Sequence, residues 1–139
     1  MKIEKILVYI EPTAKVEPLS QFAVELARSN DARVFALSII KSPSPEKKSR
    51  TEEQAWKRLY EVEEDAFEIG IKSSLLLEEM EKTNQNSLTE KILELCKMFV
   101  MDILIISSDA KVNLKKMAGA MTIPVIIVPC PKNLIERKD

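Results

Sequence analysis

Behind one apolar strand, Ile103-Leu104-Ile105-Ile106, the chain places Ser107-Ser108-Asp109-Ala110-Lys111. Serine hydroxyls and a lysine ammonium at the carboxyl end of a strand could hold an anion or a nucleoside. Ligands of open α/β sheets bind at that end. Asp109 works against a phosphate there by like-charge repulsion, and a polar turn leaving a strand is the plainer reading. Glu11 with Thr13, at the end of another strand, could hold the hydroxyls of a ribose, or could simply be a solvated strand end. With Ile40, which closes a third strand, the candidate ligand set is Glu11, Thr13, Ile40, Ser107, Ser108 and Lys111.

Other chemistries lack parts. The chain has no histidine, which removes the commonest general base and metal ligand, and with them Ser-His and Cys-His pairs. Cys96 falls on the apolar side of a helix, and Cys130 lies between Pro129 and Pro131. No CxxC motif is present, so two free thiols are expected. Glu78, Glu79 and Glu81 form an acidic loop without the Asp-x-Asp pattern of a hard-cation site, and no metal is expected there. Lys47-Lys48 with Arg50 reads as surface charge, since no aromatic residues are interleaved with it. Lys111, Lys115 and Lys116 could lend positive charge to phosphoryl chemistry, but nothing visible positions a nucleophile.

The elements that must carry these residues alternate. Lys5–Ile10 is a strand, a helix begins near Pro18, and Arg33–Ile40 is a strand. A long helix follows Ser44-Pro45, with Ser44 as cap, and ends at Gly70. Ile71–Leu77 is a strand, residues 78–86 a polar loop, and Ser87 with Glu90 a capping box opening the next helix. After the Ile103–Ile106 strand come a short helix around Asn113–Ala120 and the last strand, Val125–Val128. Both of these strands read as apolar on both faces, the habit of a parallel sheet covered by helices. In the first helix Leu19, Phe22, Ala23, Leu26 and Ala27 share a face; in the second, Ala55, Leu59, Val62, Ala66 and Ile69 do. Trp56, Tyr60 and Phe67 beside that stripe read as core or interface packing.

The βαβαβαβαβ order predicts a single α/β domain over residues 1–139, a three-layer α/β/α sandwich around a five-stranded parallel sheet of Rossmann-like type. Apolar residues are 45% of the 139 and charged residues 31%, which suits a globular domain. A net charge of −1 gives no field to gather nucleic acid or an acidic membrane. No apolar run approaches the ~20 residues of a membrane span. The amino-terminal segment lacks the layout of a signal peptide, and the tail from Lys132 to Asp139 is charged and expected to fray.

In this order the strands resemble those of the universal stress protein family. Lys5-Ile6-Leu7-Val8-Tyr9-Ile10-Glu11 resembles the opening strand, which normally ends in an acidic residue. Met101-Asp102-Ile103-Leu104-Ile105-Ile106-Ser107 resembles the family's ADLIVMG strand, and Ile123-Pro124-Val125-Ile126-Ile127-Val128-Pro129 its closing CPVLVV strand. The resemblance implies the adenine nucleotide alpha hydrolase-like fold and a homodimer joined through Val125–Val128. Members of the family that bind ATP carry a glycine motif after the fourth strand, where backbone N–H groups meet phosphates. Here its first positions read Ser107 and Ala110, Gly119-Ala120 lies close to the last strand, and Glu11 replaces the family's aspartate. The expectation is a cytoplasmic, non-enzymatic binding or regulatory module in stress response or protein regulation, with no resident cofactor. The alternative is ATP, or another adenine nucleotide, bound with slow hydrolysis.

Overall fold

A computed structural model describes residues 2–12, 15–42 and 45–129, with the side chains of residues 45–50 left aside. Thr13, Ser44, Cys130 and the charged tail lie outside the described residues, as do the side chains of Lys47, Lys48 and Arg50. The elements are β1 (Lys5–Tyr9), α1 (Glu17–Asn30), β2 (Arg33–Lys41), α2 (Pro45–Glu68), β3 (Ser73–Met80), α3 (Gln85–Met98), β4 (Ile103–Ser107), α4 (Leu114–Ala120) and β5 (Val125–Val128). All pairings are parallel, and the strand order is β3-β2-β1-β4-β5. The five-stranded α/β sandwich read from the alternation is the observed fold.

Side-chain alternation explains why the sheet needs helices on both faces. Ile6, Val8, Val34, Ala36, Ile103 and Ile105 pack with residues of α1 and α2. Their neighbours Leu7, Leu37, Leu104 and Ile106 pack with α3 and α4. Each fully buried Leu or Ile here contributes about 1.5–3 kcal/mol of transfer free energy. The order reverses between β1 and β4, so the chain leaves these two neighbouring strands in opposite directions. A crevice opens beyond their carboxyl ends.

The start of β1 is fixed by Asp102. Its Oδ2 accepts the backbone N–H groups of Glu4 and Lys5, both at 2.9 Å. Its own N–H donates to the Lys5 carbonyl at 2.9 Å. The acidic residue before β4 therefore ties the two central strands together.

Three helices end in one way. The N–H groups of Ala32, Ile71 and Met101 donate to the carbonyls of Ala27, Ala66 and Cys96, five residues back. The residue before each is left-handed: Asp31 at φ 55°, Gly70 at φ 77° and Val100 at φ 53°. This is the Schellman geometry, which suits glycine and strains a β-branched residue.

Several expectations are corrected. Phe22 and Ile69 are exposed rather than core, and the inner face of α1 uses Ser20 and Val24; Tyr60 and Phe67 are also exposed, which leaves the interface half of their reading. Trp56 stays half-buried and stacks on Tyr60, with ring centroids 5.7 Å apart. β3 begins at Ser73 and continues to Met80, so Glu78 and Glu79 lie in a strand paired with Ile39 and Ile40, not in a loop. Asn84, not Ser87, caps α3: its side chain accepts the Ser87 N–H at 2.9 Å. The Ser87 hydroxyl instead donates back to the carbonyls of Lys82 and Asn84. β4 is buried throughout, but β5 ends the sheet and leaves Ile127 exposed. An edge strand has no covering neighbour on one side, and apolar composition alone does not reveal this.

Candidate functional site

Beyond β1 the backbone reaches Glu11, and beyond β4 it turns through residues 108–113. The Glu11 carboxylate bridges the two, accepting the Lys111 N–H on Oε2 at 3.0 Å. Burial pushes the Glu11 carboxyl above its ordinary range, a shift opposed by the Lys111 N–H bond and charge and reinforced by Asp109. Beside it Tyr9 is buried, and desolvation, with Glu11 adding to it, raises its phenol so that it stays protonated.

Glu11, Ile40 and Lys111 line one cleft, of about 220 Å³, with Tyr9, Lys41 and Thr83 among its other walls. Three of the residues expected to act together are thus brought together. Ser107 and Ser108 are not on its lining, and Thr13 lies outside the described residues. Ser107 turns inward at the end of β4, where its hydroxyl donates to the Asp109 carboxylate. The sequence reading missed Tyr9 and Thr83. Period-2 alternation places Tyr9 on the face of Leu7, toward α3, but gives no hint that the chain after β3 bends back over the cleft.

The turn after β4 has used its donors. The Ser108 N–H goes to the Val128 carbonyl at 2.9 Å, and Ala110 to Ser107 at 3.1 Å. The Asp109 N–H reaches the Ser107 hydroxyl at 3.4 Å, and Lys111 reaches Glu11. Val112 donates to the Ala110 carbonyl at 2.8 Å. The Asn113 N–H donates at 2.8 Å to Thr89 Oγ1, whose own hydroxyl donates to the Gln85 carbonyl at 2.7 Å. Every backbone N–H from residue 108 to 113 is therefore committed inside the fold. At the start of α4 the Asn113 side chain accepts the Lys116 N–H at 3.0 Å. Lys116 spends its ammonium on Glu90 at 3.0 Å.

A phosphate-binding loop works by leaving such amides unpaired around an anion. This turn instead presents the carboxylates of Glu11 and Asp109, with the Lys111 side chain exposed beside them. The cleft is also smaller than the roughly 300–1,000 Å³ of ordinary ligand pockets. Among the described residues no group of three or more acidic or cysteine side chains is placed to hold a metal ion. No described helix is long and apolar enough to cross a membrane. A wider hollow, of about 720 Å³, lies at the opposite end of the strands between the end of α2 and the start of β3.

The sequence matches no protein-family model and no curated protein. Solved structures do resemble the fold. A universal stress protein family member from Burkholderia pseudomallei superposes with a TM-score of 0.75 at 15% identity, over 91% of this chain and 96% of that one. The Archaeoglobus fulgidus universal stress protein in complex with dAMP gives 0.70 at 17% identity, over 92% and 99%. An Arabidopsis thaliana family member with AMP bound gives 0.67 at 16% identity, over 97% of each chain. The chain has the universal stress protein fold, the class that its strand motifs resemble.

Proposed function

We propose that this chain is a divergent universal stress protein that acts as a non-enzymatic binding and regulatory module. Its cleft takes the nucleoside part of a ligand in preference to its phosphates. The fold supports the family assignment, and solved relatives bound to AMP, dAMP or cAMP support an adenine compound as the ligand class. The observation that carries the reading is the run of committed amides from residue 108 to 113. With the main-chain donors of residues 108–113 committed and two carboxylates at the turn, each added phosphate meets repulsion more than grip. Glu11 and Lys111, with Lys41 and Thr83 on the same walls, are polar groups that can orient a sugar or base. A cytoplasmic homodimer joined at β5 belongs to the same proposal, and the sheet edge and exposed Ile127 offer a surface for it.

Isothermal titration with adenosine, AMP and ATP–Mg²⁺ tests this. Affinity is expected to stay flat or fall as phosphates are added, with no ADP released above a blank. Micromolar ATP binding at least tenfold tighter than AMP would overturn it.

A further inference from the structure

The sheet has a second open edge. β3 is eight residues long, and β2 is its only strand neighbour among the described residues. The carbonyls of Lys72 and Met80 accept bonds from β2 and the residue after it, Val34 and Ser42. Backbone direction alternates along a strand, so the N–H and C=O groups of Leu75 and Leu77 face away from the sheet. At the other edge the Val128 carbonyl faces inward to Ser108, and only Val125 and Ile127 of β5 face outward.

We propose that the β3 edge pairs antiparallel with the β3 of a second copy of this chain, about a two-fold axis through Leu76. The sequence of this strand is complementary to its own reverse. Ser73-Ser74-Leu75-Leu76-Leu77-Glu78-Glu79 laid against itself sets Leu75 on Leu77, Leu76 on Leu76, Ser74 on Glu78 and Ser73 on Glu79. Serine hydroxyls meet carboxylates, leucines meet leucines, and no like charges stand opposite one another. In this register the outward-facing Leu75 and Leu77 exchange backbone hydrogen bonds across the axis. A slip of two residues toward Leu77 would set leucines against glutamates, and a slip of one would mismatch outward and inward groups.

The neighbouring groups suit this pairing. The Ser74 hydroxyl accepts from Arg33 at 3.2 Å, which leaves its proton for a carboxylate. Glu78 has Lys91 at 3.4 Å to offset its charge. The start of β3 continues into the hollow walled by Tyr60 and Phe67 of α2, rings that are 54% and 82% exposed. A second copy extending the sheet would bring its own α2 alongside and cover them. Solvent-facing aromatic surface next to a free strand edge is the pattern of an interface.

Amide hydrogen exchange and sedimentation velocity on the full chain test the proposal. At high concentration the amides of Leu75 and Leu77 should exchange slowly, and dilution should speed them by the factor of dissociation. The amide of Leu76 should be protected at all concentrations. Ser73→Glu places like charges opposite one another twice per dimer and should weaken association about tenfold. S73E/E79K should restore it. Unprotected Leu75 and Leu77 amides at concentrations where the protein associates would overturn the proposal. So would a wild-type monomer throughout, or an assembly indifferent to Ser73→Glu.

Discussion

Glu11 is a carboxylate held where its charge is costly. Its folded-state pKa is raised, so the protonated form is favoured in the folded protein relative to the unfolded chain. Stability from this group is fully present below the ordinary glutamate pKa, and is lost as pH rises through the raised value. Glu11→Gln keeps an acceptor for the Lys111 N–H and removes the charge. Its melting temperature should exceed that of the wild type at pH 7 and match it near pH 4; equal gaps at both pH values would contradict the assignment. Cys96 shows the same physics in a thiol. Burial pushes it up to about 12. In a Cys130→Ser variant at pH 8, Ellman's reagent should leave the native protein almost unlabelled and react at once in denaturant. Rapid labelling of the folded form would show that Cys96 is not enclosed. The burial of Cys96 was legible in its place on the apolar side of a helix, whereas the Glu11 shift was not, because it depends on groups from distant parts of the chain. The pairing of Glu11 with Lys111 joins residues that are far apart in the chain, and no local pattern announces it.

At the scale of elements, the three Schellman ends form an internal comparison. Gly70 has open space where a Cβ would go, so Gly70→Ala tests left-handed strain alone. It should cost about 1–2 kcal/mol of unfolding free energy in urea denaturation. Val100 occupies the same geometry with a β-branched side chain that is 69% exposed, so little packing is lost by removing it. Val100→Gly should stabilise by about 1 kcal/mol, and destabilisation would mean that the valine makes contacts worth more than its strain. The Asp102 clamp on the start of β1 predicts a loss of about 2 kcal/mol for Asp102→Ala, read the same way. The sequence marked Gly70 as a helix end because glycine is the usual solution. It was silent on Val100, whose conformation runs against its type. The apolar runs of β1, β2 and β4 were plain because strands buried on both faces are mostly apolar, with Ser38 and Ser107 the buried polar exceptions. β3 was harder, since Glu78 and Glu79 carry the look of a loop while continuing an edge strand. The α3 cap moved because Asn84 and Ser87 are both good capping residues, and only the fold chooses between them.

For the whole molecule, element order was enough to foresee a five-stranded parallel sheet, since right-handed crossovers leave few ways to bury so many apolar strands. What order cannot encode is which helix faces remain wet: the exposed Tyr60 and Phe67 share helical spacing with buried neighbours. The proposed binding reading has its own consequence at this scale. In a receptor whose turn is tied to β5, α3 and Glu11, the number of phosphates on a bound adenine compound carries no favourable energy. Such a molecule would not fill as ATP rises at the expense of AMP. Its occupancy would follow the supply of nucleosides and their least phosphorylated forms.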